Sequence, residues 1–410
     1  MNQEEPEISK KLSFHEKILV LSLVGIITYW LFYLAAEGII ISGVTIWYTD
    51  FIYAFLFVLV LKRLALGCSA KIHFKGSFWL YLFMTLIFMT AAISTVLYGV
   101  KIIGAMRAYV PLVLTVYTIL FLRKENVSLL IDRVTKYTVP IILIAFLVLE
   151  PKAYWNPAYP STEMRHAYQV LNASSVLFIA VLFIYFIIYN RSRPSKKTVG
   201  RVLVFLFLLV IISQQHRSVW MFSGAALLIY GLKSSAVTVH SIGKLALLLL
   251  VVFLLGALYS QIEPGVFSSF SRSLSESFQG IVDPGADETS NWRLLYLQAA
   301  MSGIGDHLIF GSGFSEDTAV YLGKMVFVNS PHSSYLALLM NYGLVGLVIF
   351  LMYVMNVIIK LNKSIKANWN NLSQRSYYLF VECCIVGFLA FGLAYSLDPI
   401  MFLVFGLAEL

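Results

Sequence analysis

The sequence predicts an all-α fold, a polytopic membrane helical bundle of about 12 transmembrane helices with one large extracytoplasmic loop. Three observations carry that prediction. Of the 410 residues, 59% are hydrophobic and only 12% are charged, a balance far from that of water-soluble domains. Apolar runs long enough for a helix to cross a bilayer, roughly 20 residues, follow one another along the chain. The polar breaks between them are short and often basic.

Taken in order, the runs place spans near 17–38, 44–61, 78–98, 104–122, 134–149, 167–190, 200–214, 218–232, 242–260, 333–359, 376–395 and 397–410. The stretch 200–232 is interrupted by "SQQHRS" and admits either one long helix or a tight hairpin of two short ones. Lys and Arg gather on the cytoplasmic side of short loops. A hairpin puts the clusters at 62–75, 123–136, 191–201 and 360–375 on one side together with the amino terminus, so the hairpin is expected. Both termini are then cytoplasmic. Residues 1–260 form the first nine spans, 261–332 the large outer loop and 333–410 the last three.

That loop carries eight acids and few basic residues, as a translocated segment should. Its stretch "NWRLLYLQAAMSGI" has a helical apolar pattern, which predicts a folded cap lying against the membrane. A smaller outer loop at 150–166 is rich in aromatics and prolines. The first apolar run is long and has no small-residue cleavage pattern, so no cleaved leader is expected.

The net charge of +9 is spread over the inter-span clusters, so it reads as topology and not as a nucleic-acid surface. The three cysteines, Cys68, Cys383 and Cys384, lack the spacing of a disulfide framework or a zinc site. No Walker loop, GxGxxG after a strand or HExxH occurs. Neither a metal nor another cofactor is expected.

Ionisable groups at the edge of the apolar layer are costly, which makes each a functional candidate. Arg217 sits in "SQQHRSVW" at the outer turn of the hairpin, with Gln214, Gln215 and His216 beside it. An interfacial snorkelling arginine is the structural alternative, yet the polar patch is larger than a turn requires. Arg293 opens "NWRLLYLQAAM", where a solvated helix face is the alternative, and His332 opens a span, where a satisfied interfacial histidine is the alternative. By the topology argument all three lie on one side of the membrane. Two permanently charged guanidiniums with an imidazole that titrates near neutrality suit an anionic substrate undergoing proton-coupled chemistry.

Weaker candidates surround them. Arg107 either adds to a phosphate cradle or anchors its helix. Asp398, in "SLDPIMF", either orients His332, pairs with an arginine or forms an Asp-Pro turn. Glu382 reads as a packing or ion-pair residue, and Arg165 and His166 edge the smaller loop.

The run "NWRLLYLQAAMSGIGDHLIFGSGFSEDTAVYLG", followed by "NSPHSSYLALLMNYGLVGLVIF", resembles the shared region of the O-antigen polymerase and O-antigen ligase superfamily. The matching features are Arg293 opening a helix, Gly311 and Gly313 in a turn, His332 starting a span, and Gly343 and Gly346 in a "G-x-x-G" pattern. Arg217 matches the family's arginine at the outer end of a short span. Where the family commonly has asparagine after the histidine, this chain has Ser333.

The resemblance implies a metal-independent, inverting glycosyltransferase in the bacterial inner membrane that uses undecaprenyl-diphosphate-linked oligosaccharide on the periplasmic face. In that reading Arg217 and Arg293 stabilise the departing diphosphate and His332 is the general base. Arg107, His216, Gln215 and Asp398 contact substrate. A polymerase joining repeat units is preferred, because the outer loops are aromatic and acidic whereas a ligase must also hold a phosphorylated core. The alternatives are a ligase moving the chain to the lipid A core and, in a different class, a flippase or other transporter. A separate chain-length regulator fits the resemblance as a partner, and nucleic acid is not expected.

Overall fold

The computed structural model describes residues 11–31, 39–41, 44–66, 77–99, 107–154, 171–189, 197–214, 216–234, 305–314, 320–322, 325–327, 333–395 and 397–410. They are predominantly helical. The helices are α1 (Phe14–Leu31), α2 (Tyr48–Leu66), α3 (Phe78–Tyr98), α4 (Leu112–Phe121), α5 (Val127–Tyr154), α6 (Ala173–Tyr189), α7 (Lys197–Ser213), α8 (Arg217–Lys233), α9 (Ser334–Ala367), α10 (Leu372–Phe391) and α11 (Pro399–Ala408). Two three-residue antiparallel hairpins accompany them, β1 (Ile39–Ile41) with β2 (Val44–Ile46) and β3 (Val320–Leu322) with β4 (Met325–Phe327). Helices fall on eleven of the twelve expected ranges, and 242–260 lies outside the described residues. Among the described helices, Phe78–Leu97 and Ser334–Ala367 are long and apolar enough by themselves to cross a membrane.

Local chemistry sets the helix starts. Ser77 caps α3 by accepting the Leu80 N–H, Asn371 caps α10 through Gln374, and Asp398 caps α11 with Pro399 in the first turn. Side-chain acceptors of this kind satisfy amides that have no intrahelical partner. Two helices overrun the sequence expectation at their basic ends. α5 begins at Val127, so Arg133 and Lys136 stand on its first turns, and α9 continues to Ala367 through Lys360, Lys363 and Lys366. Basic side chains do not stop a helix, and hydropathy marks only where the apolar part ends.

The centre of the bundle is made by α6 and α11, which are buried on nearly every side, as expected for helices that are apolar all round. α11 runs parallel to α4. Thr115 Oγ donates to the Phe402 carbonyl at 2.7 Å, and Gly406 faces Thr118 so closely that a Cβ would lie 2.6 Å from it. α1 packs on α5, α3 on α9, and α10 on α6, α8, α9 and α11.

The question left at 200–232 is answered by one bond. Trp220 Nε1 donates to the Ile211 carbonyl at 2.9 Å. In a continuous helix, residues nine apart are separated by about 13 Å along the axis. The chain therefore reverses at Gln214–His216, and α7 and α8 are a hairpin.

Candidate functional site

The hairpin turn is held by its own polar residues. Gln214, fully buried, accepts the Leu171 N–H at 2.8 Å through Oε1, and His216 Nε2 donates to the Leu171 carbonyl at 2.8 Å. Both backbone groups of Leu171, two residues before α6, are thus clamped by the patch, and the His216 proton is assigned to Nε2 by its carbonyl partner. His216 is also the N-cap residue of α8.

α8 then begins with Arg217, 5% exposed. A helix amino terminus carries partial positive charge, which disfavours a cation there by about 0.3–1 kcal/mol, and burying a guanidinium adds desolvation.

The packing of α8 fixes the level of Arg217. α8 and α10 run antiparallel. Gly387 of α10 lets Phe222 approach to 2.6 Å of where its Cβ would be, and Arg375, near the start of α10, donates to the carbonyl of Lys233, the last residue of α8. Moving five residues from Phe222 toward the amino end reaches Arg217, and five residues from Gly387 toward the carboxyl end reaches Gly392, about 7.5 Å along each axis. A Cβ on Gly392 would lie 3.2 Å from Ser334 Oγ. Arg217 and the first turn of α9 therefore stand at one level at the end of α10.

That first turn is pinned by the two serines that follow His332. Ser333 Oγ caps the Leu336 N–H and donates to the Gly392 carbonyl at 3.2 Å. The Ser334 N–H and Oγ both donate to the Tyr395 carbonyl at 2.9 Å. Where the family commonly has asparagine, Ser333 serves as a cap and a tether.

Nine residues into α9 the helix breaks at Gly343 (φ 65°) and residues 308–313 dock on the break. Two helical bonds, from 344 to 340 and from 345 to 341, are replaced by four. The Leu344 and Val345 N–H groups donate to the carbonyls of Leu308 (2.8 Å) and Ile309 (3.1 Å). The Met340 and Asn341 carbonyls accept from Ser312 (2.8 Å) and Gly313 (3.2 Å). The four backbone groups freed at the kink are all paired. A Cβ on Gly311 would lie 2.5 Å from the Asn341 and Tyr342 backbone, and one on Gly343 would collide with the Ile309 carbonyl. The two glycine motifs seen in the sequence are the halves of one clasp.

Beneath the clasp, Tyr109, Phe314 and Tyr342 meet edge to face with ring centres 5.4–5.7 Å apart. Asn341 Nδ2 donates to the Tyr109 hydroxyl at 3.2 Å, and Ser94 Oγ of α3 accepts the Phe314 N–H at 3.0 Å. These supporting residues were not singled out from the sequence. Asn341 interrupting the apolar run of α9 was the available signal.

Of the remaining candidates, Arg107 occupies a short 3-10 turn, Arg107–Tyr109, and pairs with Asp50 at 3.0 Å with its guanidinium 6.0 Å from the Trp47 ring centre. Asp398 is buried and accepts the Ile400 N–H at 2.9 Å as the cap of α11. Glu382 is an ion-pair residue, as expected, bound to Lys233 and Asn362. Arg293, His332, Gln215, Arg165 and His166 lie outside the described residues.

Residues 202–351 match the family model described as O-antigen ligase. This stretch of the chain is similar to that family. Within it fall the α7–α8 hairpin with Arg217, the clasp, and the part of α9 up to and beyond Gly343. Arg293 and His332 also lie in the family region. No curated protein matches the chain.

Proposed function

We propose that the chain is an O-antigen or surface polysaccharide polymerase of the inner membrane, joining undecaprenyl-diphosphate-linked repeat units by inverting glycosyl transfer. In this reading it spans the membrane twelve times with both termini cytoplasmic, and the Arg217 end of the bundle is periplasmic. The observation that carries it is Arg217, buried at the amino end of α8 within the family region and level with the start of α9. Exposed apolar side chains outside the core, such as Phe51, Phe55 and Val58 of α2 and Val96 and Leu97 of α3, suit a lipid surround.

Bond breaking at the anomeric carbon leaves negative charge on the lipid diphosphate. Arg217 and Arg293 receive that charge through charge-assisted hydrogen bonds. His332, as the neutral imidazole, accepts the proton of the attacking acceptor hydroxyl. The hydroxyl oxygen bonds to the anomeric carbon from the face opposite the diphosphate, which inverts the centre. Diphosphate departs unprotonated, so the carboxylate pair of hydrolytic glycosidases has no counterpart here. Arg107, His216, Gln215 and Asp398 contribute to the walls of the same site. The clasp places residues 305–314 of the proposed periplasmic loop against α9.

The description of the matched family favours a second reading, a ligase that transfers the chain to the lipid A core. Lipopolysaccharide banding in a deletion strain separates the two. Core carrying a single repeat identifies a missing polymerase, and core carrying no repeat identifies a missing ligase. Unchanged banding overturns both, and leaves a flippase or other transporter as the competing class. Cysteine labelling tests the orientation: in a cysteine-free background, Asp287→Cys reacts from outside and Ser195→Cys does not.

A further inference from the structure

At the end of the bundle away from Arg217, α1 and α5 begin side by side and leave a cavity of ≈ 490 Å³ between them. That volume is within the range of small-molecule sites. Its rim carries Lys11, Lys17 and Arg133, and its wall is made by Val20, Leu21 and Tyr137. Lys11 precedes α1, Lys17 lies in its first turn and Arg133 in the second turn of α5, while Val20, Leu21 and Tyr137 come three or four residues further on; Leu12 also lines the groove.

Of the described carboxylates, the two next to Lys17 and Arg133 bond elsewhere. Glu16 accepts from the Ser13 N–H at 2.8 Å and from Asn126 Nδ2 at 2.8 and 2.9 Å. Asp132 accepts from the Tyr185 hydroxyl of α6 at 3.2 Å. Among the described residues none of the three cations has a carboxylate partner. A groove with a cationic mouth, a tyrosine at its edge and an apolar interior matches a molecule that is anionic at one end and hydrocarbon at the other. Tyrosine is enriched where such molecules change from headgroup to chain, and basic pockets between helices on the cytoplasmic side hold anionic headgroups.

We propose that this groove binds one anionic phospholipid of the adjacent leaflet, its phosphate among Lys11, Lys17 and Arg133 and the start of an acyl chain along Val20 and Leu21. The inference rests on the membrane placement proposed above, and it is independent of the glycosyl-transfer chemistry at the other end. Seating the lipid ties α1 to α5.

The test uses the full chain purified in detergent and native mass spectrometry with phosphatidylglycerol, phosphatidylcholine and soluble glycerol 3-phosphate as separate probes. One phosphatidylglycerol binds in preference to the other two. The triple variant Lys11→Gln, Lys17→Gln, Arg133→Gln weakens it on the order of 100-fold, from about 1 kcal/mol per basic residue. The charge-preserving variant Lys11→Arg, Lys17→Arg, Arg133→Lys retains binding, which separates lost charge from lost folding. Removal of three exposed cations elsewhere at this end, Arg201, Lys363 and Lys366, leaves it unchanged. Equal binding of phosphatidylcholine or of glycerol 3-phosphate overturns the proposal, as does equal weakening by the two neutralising triple variants. Banding of surface polysaccharide reports on the transferase reading separately, so failure of one is not failure of the other.

Discussion

The two ends of α8 solve opposite problems. At Lys233 the ammonium bonds to Glu382 of α10 and Asn362 of α9, Asn362 Nδ2 also donates to Glu382 at 3.0 Å, and Arg375 donates to the Lys233 carbonyl at 3.2 Å. Three helices are knotted together by side chains of opposite charge. At Arg217 the described fastenings are different: Leu171 is clamped by Gln214 and His216, the first turn of α9 is tethered through Ser333 and Ser334, and the Gly343 kink is filled by backbone. The first end is joined by an ion pair between side chains, the second by hydrogen bonds to backbone groups. Charge serves cohesion at the Lys233 end, and the function proposed above gives the Arg217 end the chemistry.

The comparison breaks most directly at Arg217. Arg217→Ala is expected to lower polymer formation by about 100-fold or more, the usual loss when one electrostatic stabiliser of a transition state is removed, with membrane levels near wild type. Surface polysaccharide and immunoblotting read the two quantities, and wild-type polymer with a folded variant removes the proposed role. His332→Ala is expected to abolish chain formation in the same assay while the protein remains in the membrane.

The clasp comes next. Gly311→Ala forces a Cβ onto the Asn341–Tyr342 backbone at a positive φ, with a cost of about 2–5 kcal/mol from left-handed strain and overpacking. Thermal unfolding in detergent is expected to drop accordingly; an unchanged transition would show that 308–313 is not held against α9 as described.

At the opposite end, Glu382→Leu alone strands Lys233 and is expected to cost about 3 kcal/mol, while Glu382→Leu with Lys233→Met is expected to be near neutral, because a buried ion pair is replaceable by packed apolar groups. Polymer formation should survive the double change, which sharpens the division of labour between the ends. The smallest effect is expected for Asp398→Ala, about 1 kcal/mol for the lost cap of α11. A far larger fall in activity than in stability there would assign Asp398 to the substrate as well.

Much of the helical layout was legible because apolar runs of spanning length leave the backbone little choice but helix in lipid. The hairpin at 200–232 was legible through charge, since only a reversal at Gln214–His216 keeps the basic clusters on one side. The ends of α5 and α9 were not, because Arg133 and Lys366 are good helix residues that hydropathy reads as loop. His216 and Asp398 were legible as polar residues at the ends of apolar runs. Their bonds to Leu171 and Ile400 depend on which helices lie next to them, and pattern in one chain does not contain that.

By itself the sequence determined the helical class, the order of the apolar segments and the residue types able to meet a diphosphate, because burial and charge are properties each residue carries wherever the chain folds. Only the tertiary structure decided that Arg217 stands level with the start of α9, that Glu382 belongs to Lys233, and that Gly311 and Gly343 form one joint. Each of these depends on the register between segments distant in sequence, and register is set by close approach of backbones, as at Gly387 against Phe222 and Gly392 against Ser334.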